Sequence, residues 1–290
     1  MYTIYIIYLF LFILLSIMCL LKNLEINKII TNILFPLKTI KYEIFKNNYP
    51  IIYNKIPIFI FFHICPYSED NITYKNILNE QMNYLISSGL YDKCDKLYYG
   101  CSCKNCDNIL DDYFKNFDKV YKLEDSICPD INSYENTTVN GMIKFTKNSK
   151  IKFYGLYIHT KGTTAFSQAQ NNWRNFLMYW LVQKHDICID ILNRDFYTVG
   201  VNYIHDYYSG NFFWFSSDYL KNSNYIDNLY NRYNAEFFLF KNSIKNKHIC
   251  LSTNNRFISL KEFIITTGLY YSKFNDYMID NNNDIILSII

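Results

Sequence analysis

The sequence lacks the features that mark several large classes of protein. Its 290 residues carry a formal net charge of only +3, and Lys alternates with Asp and Glu without forming a basic stripe. No RNP, zinc-finger or helix-turn-helix pattern stands out, so nucleic acid is not an expected partner. No Gly-x-x-x-x-Gly-Lys loop occurs, which argues against an enzyme that transfers phosphate from a nucleotide.

Glycine and proline are scarce, with 8 and 5 residues, and we attribute this to AT-rich codons rather than to function. The nine cysteines are an odd number and do not form a regular disulfide framework. Cys101, Cys103 and Cys106 form one cluster, with Cys94 and Cys128 nearby, and three thiolates with a fourth ligand can bind zinc. A second Cys-x-x-Cys pair is missing, so reduced or locally paired thiols are favoured over zinc.

Charge is absent from residues 2–21, in which Leu, Ile and Phe dominate. About 20 apolar residues cross a bilayer core as a helix, so residues 1–21 are predicted to be a single-pass transmembrane anchor. A cleaved signal peptide is the rival interpretation, but the basic n-region and the small-x-small cleavage site are missing. Residues 22–55 are predicted to be a stem or linker.

Two features point to opposite orientations of this anchor. Lysines follow the span, and the positive-inside rule then leaves the bulk of the protein in the cytosol. Two N-glycosylation sequons, at Asn71 and Asn136, suit the opposite side of the membrane. Such sequons are common by chance in an Asn-rich chain, so the side stays open.

The remaining chain alternates strand and helix patterns. Apolar runs predict strands at residues 57–62, 96–100, 119–123 and 153–159, and later at 197–204 and 210–216. Helical spacing predicts helices over residues 74–85, 109–117 and 136–147, and one long helix over 173–191. This alternation predicts an α/β fold with a mostly parallel central sheet flanked by helices. We expect one domain over residues 56–270, followed by a C-terminal tail, 271–290.

Polar residues follow the apolar run 153–158 abruptly, as His159, Thr160, Lys161 and Gly162. In open α/β sheets, ligands bind outside the carboxyl ends of the strands. An imidazole beside an ammonium suits an anionic ligand such as a phosphate or diphosphate. A solvated loop that happens to be basic is the alternative.

These residues also carry a resemblance to a known family. The motifs, in chain order, are Tyr134-Glu135 before a helix, the run ending in His159-Thr-Lys-Gly162, Trp173-Arg174 opening the next helix, Val199 to Asn202, His205 with Ser209 to Trp214, and Ala235-Glu236. Together they resemble a family of glycosyltransferases of the GT-A-like nucleotide-diphospho-sugar transferase superfamily, found in bacterial polysaccharide loci and large DNA viruses. The resemblance spans residues 58–240. It implies a GT-A-like fold and a hexosyltransferase-like enzyme that moves a sugar to a hydroxyl acceptor on a glycan, lipid or protein.

The resemblance also implies how the donor is held. Many relatives bind a divalent metal, Mn or Mg, on an Asp-x-Asp motif after a strand of this kind, but this chain has no Asp-x-Asp. We therefore assign no metal ligand and expect Lys161 and His159, next to the flexible Gly162, to neutralise the diphosphate directly. Arg174, in the first turn of the next helix, would assist. His63 ends the first strand, where relatives bind the nucleoside, although such a histidine is often merely hydrogen-bonded.

Acceptor chemistry is expected further along the chain. Glu236 is the candidate general base, because relatives place an acidic residue beneath the acceptor and because apolar surroundings would raise its pKa. A carboxylate paired with Arg232 at the rim of a helix is an equal alternative. Five residues resemble the family's acceptor-side loop: His205, Ser209, Gly210, Asn211 and Trp214. Trp214 would either stack on a sugar ring or lie in the core.

The sequence thus predicts a membrane glycosyltransferase. Its expected partners are a nucleotide-diphospho-sugar donor, a carbohydrate or other hydroxyl acceptor, and the membrane through residues 2–21. A divalent metal cofactor is left open. The alternative, kept alive by the missing Asp-x-Asp motif, is a catalytically inactive GT-A-like membrane protein that binds carbohydrate or nucleotide.

Overall fold

The structure is a computed structural model of the chain. It describes residues 38–66, 72–103, 106–163, 167–204, 206–241, 246–252 and 286–290. A compact unit begins at Thr39, and everything below concerns this unit. Its first residues fall within the segment 22–55 that the sequence predicts to be a stem, and the buried side chain of Phe45 packs against Phe196 there.

Strands and helices alternate through the described residues. The strands are β1 (Lys38–Lys41), β2 (Ile58–Ile64), β3 (Lys96–Ser102), β4 (Val120–Cys128), β5 (Tyr154–His159), β6 (Thr198–Val201), β7 (Tyr203–Ile204), β8 (Tyr207–Tyr208), β9 (Phe213–Ser216), β10 (His248–Ser252) and β11 (Ile286–Ile289). The helices are α1 (Tyr42–Asn48), α2 (Thr73–Ser87), α3 (Leu90–Lys93), α4 (Cys106–Phe114), α5 (Asn136–Asn148), α6 (Gln168–Met178), α7 (His185–Leu192), α8 (Ser217–Leu220) and α9 (Asn234–Phe237).

The described strands form one nine-stranded sheet and a separate β7–β8 ribbon. The order across the large sheet is β1-β11-β10-β6-β9-β5-β2-β3-β4. Strands β5, β2, β3 and β4 are parallel neighbours, as are β6 and β10. Strand β9 runs antiparallel to both β5 and β6. The predicted α/β class with a mostly parallel central sheet is therefore confirmed.

The core lies on both faces of this sheet. All seven residues of β2 are buried, as expected of a strand that is covered on two sides. Ile60 and Phe62 pack into one apolar cluster with α2, α4, α6 and α7. Phe59 and Phe61 point to the other face and pack with α5. The alternating side chains of β2 thus join two helical layers through one strand.

Most predicted elements are confirmed, with shifted ends, and three differ. The predicted long helix over residues 173–191 is broken by a π-helical turn, Tyr179–Gln183, into α6 and α7. The predicted strand 197–204 divides at Asn202, whose φ of 53° ends β6 before β7 begins. The apolar end of the predicted tail forms β11, which pairs antiparallel with β10.

The predicted anchor, residues 2–21, lies outside the described residues. Within the described ranges, no helix combines the length and hydropathy needed to span a membrane. Of the two sequons, Asn71 also lies outside these ranges. Asn136 is fully buried, and its amide donates to the carbonyl oxygens of Leu229 at 2.7 Å and Asn231 at 3.1 Å. The second sequon is therefore inaccessible in the folded protein and says nothing about orientation.

A glycine fixes the contact between β5 and β9. Gly155 lies directly opposite Phe215, and a Cβ at position 155 would meet the Phe215 ring at 2.1 Å. We predict that Gly155→Ala lowers the free energy of unfolding by about 1–3 kcal/mol, because the ring cannot move within a filled core. Urea unfolding measures this change.

The control places the same alanine beside a smaller partner. In a Phe215→Leu background, Gly155→Ala should cost clearly less, because the clash with the ring is gone. Equal costs in both backgrounds would show that the Gly155–Phe215 contact is not the cause.

Candidate functional site

The candidate site lies where the strand order changes direction. From β2 the chain first moves outward through β3 and β4, then returns to place β5 on the other side of β2. Ligands of open α/β sheets bind at the carboxyl ends of strands at such a switch point. His63 and His159 are directly paired in the β2–β5 register at these ends. The fold thus brings two predicted site residues side by side.

His63 is buried and already engaged. Its Nδ1 lies 2.8 Å from Thr138 Oγ1 on α5, and burial lowers the pKa of His63 to about 4. The ring is therefore neutral near pH 7 and holds α5 against the sheet. This hydrogen bond occupies Nδ1, and the contact of His63 with a nucleoside stays a prediction.

His159 faces the protein rather than open solvent. Its Nε2 lies 3.0 Å from the Gly210 carbonyl oxygen, and its Nδ1 lies 3.5 Å from Glu135 Oε1. Burial, and secondarily the nearby Lys161 ammonium, lower the pKa of His159 to about 3. The expectation that this imidazole supplies positive charge is therefore corrected: it links β5 to the Gly210 loop as a neutral group.

Lys161 is the residue whose charge is directed into the site. The side chain is partly buried and its ammonium lies 5.6 Å from the centre of the Trp173 ring. Burial lowers the pKa of Lys161, and the Glu135 and Glu236 carboxylates oppose that shift. Among the described residues, no hydrogen-bond acceptor or ion-pair partner contacts this ammonium. A partly desolvated cation without a protein partner favours an anionic ligand.

Arg174 does not reach the ligand side. It is the seventh residue of α6, not a first-turn residue, and it is 1% exposed. Its guanidinium donates to both Glu80 oxygens, at 3.3 and 2.7 Å, and to the Lys161 carbonyl oxygen at 2.8 Å. The predicted phosphate contact is therefore corrected. Arg174 is neutralised by Glu80 and fixes the backbone that carries Lys161, next to Gly162 at φ 95°.

Glu135 belongs to one of the motifs that carry the resemblance but was given no role, and it contacts two of the predicted site residues, Asn211 and His159. It precedes α5 without making a cap hydrogen bond. Instead, its Oε2 accepts from the Tyr157 hydroxyl at 3.2 Å and from Asn211 Nδ2 at 2.6 Å. The preceding residue, Tyr134, has φ 48° and ψ −133°, a rare conformation for a bulky residue that the surrounding structure must hold in place.

The predicted acceptor loop is present but its members differ in role. Gly210 and Asn211 both have positive φ, 91° and 54°, and a Cβ on Gly210 would meet the Trp173 indole nitrogen at 2.3 Å. The close approach at Gly210 is thus made by Trp173, whose side chain is buried. Ser209 is buried, with its amide donating to the Asn202 carbonyl at 3.0 Å. His205 lies outside the described residues.

Trp214 belongs to the core. Its side chain is fully buried, and its indole N–H donates to the Leu181 carbonyl oxygen at 2.7 Å. Stacking of this ring on a sugar is therefore excluded in the folded protein, and the core alternative is correct.

Glu236 lies on α9 with a partly buried side chain. Burial, and secondarily Glu135, raise the pKa of its carboxyl, while Lys161 and Arg232 act in the opposite direction. This is the direction expected of a general base. Arg232 lies close enough to influence this pKa, but no ion pair joins the two side chains in the described structure. Their fixed pairing, the alternative interpretation, is not observed.

The donor set for a metal ion is incomplete in the described ranges. There, no group of three or more His, Cys, Asp or Glu side chains is placed to hold one. In the cysteine cluster, Cys101 is disulfide-bonded, and burial raises the pKa of Cys103 and Cys94 to about 11. The protonated thiols of Cys103 and Cys94 are poor metal ligands. In the described ranges, the cysteine cluster therefore does not fit zinc.

The geometry therefore defines a site of opposed charges. Lys161 and Arg232 provide positive charge, Glu135 and Glu236 negative charge, and the neutral His159 and the Asn211 amide lie between them. Sequence analysis singled out four of these six residues. Of the other two, Glu135 was named only as part of a motif and Arg232 only as a possible partner of Glu236, because an isolated charged residue carries no periodicity signal. No family model matches the chain, and no curated protein is significantly similar to it.

The low pKa values of His63 and His159 predict how the stability of the folded protein changes at acid pH. Each has a folded-state pKa, about 4 for His63 and about 3 for His159, below the unfolded value of about 6.5. The unfolded chain therefore binds protons first as the pH falls below about 6.5, so stability falls with it. His63→Gln should make this fall shallower, by up to about 1.4 kcal/mol per pH unit between pH 6 and 4.5.

Urea unfolding at several pH values measures the difference between the slopes of the two proteins. His248→Gln provides a comparison away from the site, because burial also lowers the pKa of His248 to about 4. The two effects should add in the double variant. A slope unchanged by His63→Gln would mean that this ring is already protonated in the folded protein.

Proposed function

We propose that this chain is a glycosyltransferase of the GT-A-like superfamily, moving a sugar from a nucleotide-diphospho-sugar to a hydroxyl acceptor. The observation that carries the proposal is the Lys161 ammonium at the switch point of a mostly parallel sheet. It lies 5.6 Å from the centre of the Trp173 ring and makes no hydrogen bond or ion pair with the described residues. Both the resemblance of the motifs and the α/β architecture support it. Anchorage in a membrane through residues 2–21 is part of the proposal and rests on sequence alone.

Lys161 would act on the leaving group. When the bond between the anomeric carbon and the diphosphate oxygen breaks, negative charge develops on the phosphate. A positioned ammonium in a partly desolvated site stabilises that charge without having to reorganise. Arg232, which is exposed and within electrostatic range of Lys161, supplies a second positive charge. His159 and Arg174 act by holding the Gly210 loop and the Lys161 backbone in place, and they supply no free positive charge.

Glu236 would act on the acceptor. As the acceptor oxygen bonds to the anomeric carbon, its proton must leave, and a carboxylate with a raised pKa takes it more readily than an exposed one. Lys161 favours the ionised form of Glu236, against the burial that raises its pKa. Lys161 thus stabilises the negative charge on the departing phosphate, and Glu236 removes the proton of the acceptor hydroxyl.

One measurement distinguishes the proposed transferase from the alternative function, a binding protein without catalytic activity. A non-catalytic sugar- or nucleotide-binding protein would be stabilised by its ligand but would release no product. The full-length protein should be incubated with UDP-, GDP- and CDP-sugars, with and without Mn²⁺ and an acceptor mixture. Release of nucleoside diphosphate supports the transferase. Ligand-induced thermal stabilisation without any release supports the binding protein.

Lys161→Ala should lower turnover by about 10²- to 10³-fold, the usual effect of removing one charge-stabilising donor. The matched control is Lys96→Ala, which also removes a lysine stacked on an aromatic ring, 4.8 Å from the centre of Tyr121, but at the opposite end of the strands. Turnover of the control should not change. An active Lys161→Ala enzyme would contradict the proposed role.

Glu236→Gln should keep the binding of the nucleotide-sugar and lose about 10²- to 10⁴-fold in transfer, the range for general acid–base groups. Thermal stabilisation by the donor measures binding, and release of nucleoside diphosphate measures turnover. If the variant transferred sugar at the full rate, Glu236 would not be the base.

A further inference from the structure

Exposed aromatic side chains are concentrated in one short part of the chain. Among the described residues, six tyrosine and phenylalanine side chains are exposed, and four of them lie within residues 225–237. These four are Tyr225, Tyr230, Tyr233 and Phe237. Isolated exposed apolar side chains are common on protein surfaces, whereas several together mark an interaction site. We call residues 225–237 the aromatic segment.

The aromatic segment separates its side chains by kind. Its aliphatic residues turn inward, since Ile226 and Ala235 are buried and Leu229 is half-buried. Besides the four rings, the exposed side chains are two asparagines and two residues of opposite charge, namely Asn228, Asn231, Asp227 and Arg232. The exposed surface is therefore made of aromatic rings and hydrogen-bonding groups, without exposed aliphatic side chains and without net charge.

The segment runs along α5 towards the site. Asn140 exchanges two hydrogen bonds with the backbone of Ile226, at 2.7 and 2.9 Å. One turn nearer the start of α5, Asn136 donates to the carbonyl oxygen of Asn231 at 3.1 Å. Because Asn136 directly follows Glu135, this part of the segment lies beside the charged groups of the site.

The row of rings is longer than one sugar. The Lys147 ammonium lies 4.5 Å from the centre of the Tyr225 ring, whereas Asn231 contacts Asn136. Because an α-helix rises about 1.5 Å per residue, Lys147 and Asn136 are about 16 Å apart along α5. A single hexose is too short to contact both ends of this row.

The last rings of the row adjoin the candidate base. Tyr233 immediately precedes α9, and Phe237 follows Glu236 at its end. The Phe237 ring packs against Tyr207, with 5.0 Å between the ring centres. Glu236 is within electrostatic range of Lys161. The aromatic surface is therefore continuous with the site.

Side-chain amides hold the segment in place. Asn228 Oδ1 accepts from the amide of Tyr230 at 3.0 Å, and Asn231 Oδ1 accepts from the amide of Tyr233 at 3.1 Å. Asn234 Nδ2 donates to the Asn228 carbonyl oxygen at 2.9 Å. A backbone that is fixed before binding lowers the entropic cost of binding.

We propose that the aromatic segment binds a neutral oligosaccharide whose terminal sugar reaches Glu236. The C–H face of a sugar ring is apolar and packs on an aromatic ring, while the hydroxyls at its rim bond to side-chain amides. With one exposed charge of each sign, the segment does not favour an anionic polymer. That the oligosaccharide is the acceptor of the transfer rests on the proposed function, whereas the binding of carbohydrate does not.

The first arm of the test measures binding to the full-length protein by calorimetry. The probes are linear tetrasaccharides of glucose, mannose, galactose and N-acetylglucosamine, with the methyl glycosides of the same sugars. At least one tetrasaccharide should bind at least about 10-fold more tightly than its methyl glycoside, because it contacts several rings. If no tetrasaccharide binds, or none binds more tightly than its methyl glycoside, the proposal is wrong.

The variants are Tyr230→Ala and Tyr233→Ala, at side chains that are 67% and 59% exposed, so the fold should tolerate them. Each should weaken binding of the tetrasaccharide by about 3- to 10-fold, as for a lost aromatic contact. Tyr230→Phe and Tyr233→Phe should retain the affinity, because the ring remains. The matched control is Tyr121→Ala, at an exposed tyrosine of β4 outside the segment, which should bind as the wild type does. Unchanged binding in both segment alanine variants would overturn the proposal.

The second arm separates this inference from the proposed function. With a nucleotide-sugar and the bound tetrasaccharide as acceptor, Tyr230→Ala should raise the KM for the tetrasaccharide more than it lowers kcat. If the tetrasaccharide binds through these rings but no sugar is transferred, the proposed function fails and the carbohydrate surface stands. If transfer occurs and its KM is the same in both alanine variants, this inference fails alone. Equal weakening of free UDP or GDP would assign the rings to the nucleobase and contradict the proposal.

Discussion

The contacts of the Glu135 carboxylate are the interaction on which the site depends. One oxygen accepts from Tyr157 on β5 and from Asn211 in the loop before β9, and the other faces His159. Three separate parts of the chain therefore meet at one charged group. The same carboxylate acts on Lys161 and Glu236, and its charge shifts both of their pKa values upward. The position of the predicted residues thus depends on Glu135, to which the sequence analysis gave a place in a motif but no role.

The sheet explains why these groups meet. Because β2 and β5 are parallel and paired in register, their carboxyl ends place His63 beside His159. The neutral rings then hold α5 and the Gly210 loop from the two sides. Arg174 fixes the Lys161 backbone from a third direction while being neutralised by Glu80. In the part of this site that the structure describes, the side chains of Lys161, Arg232 and Glu236 make no hydrogen bond or ion pair with another residue.

Sequence patterns were sufficient to predict the fold class. They were not sufficient to predict which contacts each residue of the site makes. Buried parallel strands such as β2 and β5 are continuous apolar runs, so periodicity finds them, together with the polar residues at their ends. Whether such a polar residue turns inward or outward depends on tertiary partners. His159 and Arg174 were therefore placed in the right region and given the wrong contacts, whereas for Trp214 one of the two alternatives, the core, agrees with its full burial. Glu135 was missed because one acidic residue before a helix ordinarily indicates a cap, not a ligand.

The balance of charge limits what the site can bind. If His159 and Arg174 had carried free positive charge, a bare phosphate would have been a sufficient ligand. With both neutralised, Lys161 and Arg232 are opposed by Glu135 and Glu236, so an anion alone would leave the two carboxylates in a repulsive position. A ligand that joins an anionic part to a part rich in hydroxyl donors satisfies all four groups at once. A nucleotide-diphospho-sugar has this composition, and it therefore suits the observed charges better than either phosphate or sugar alone.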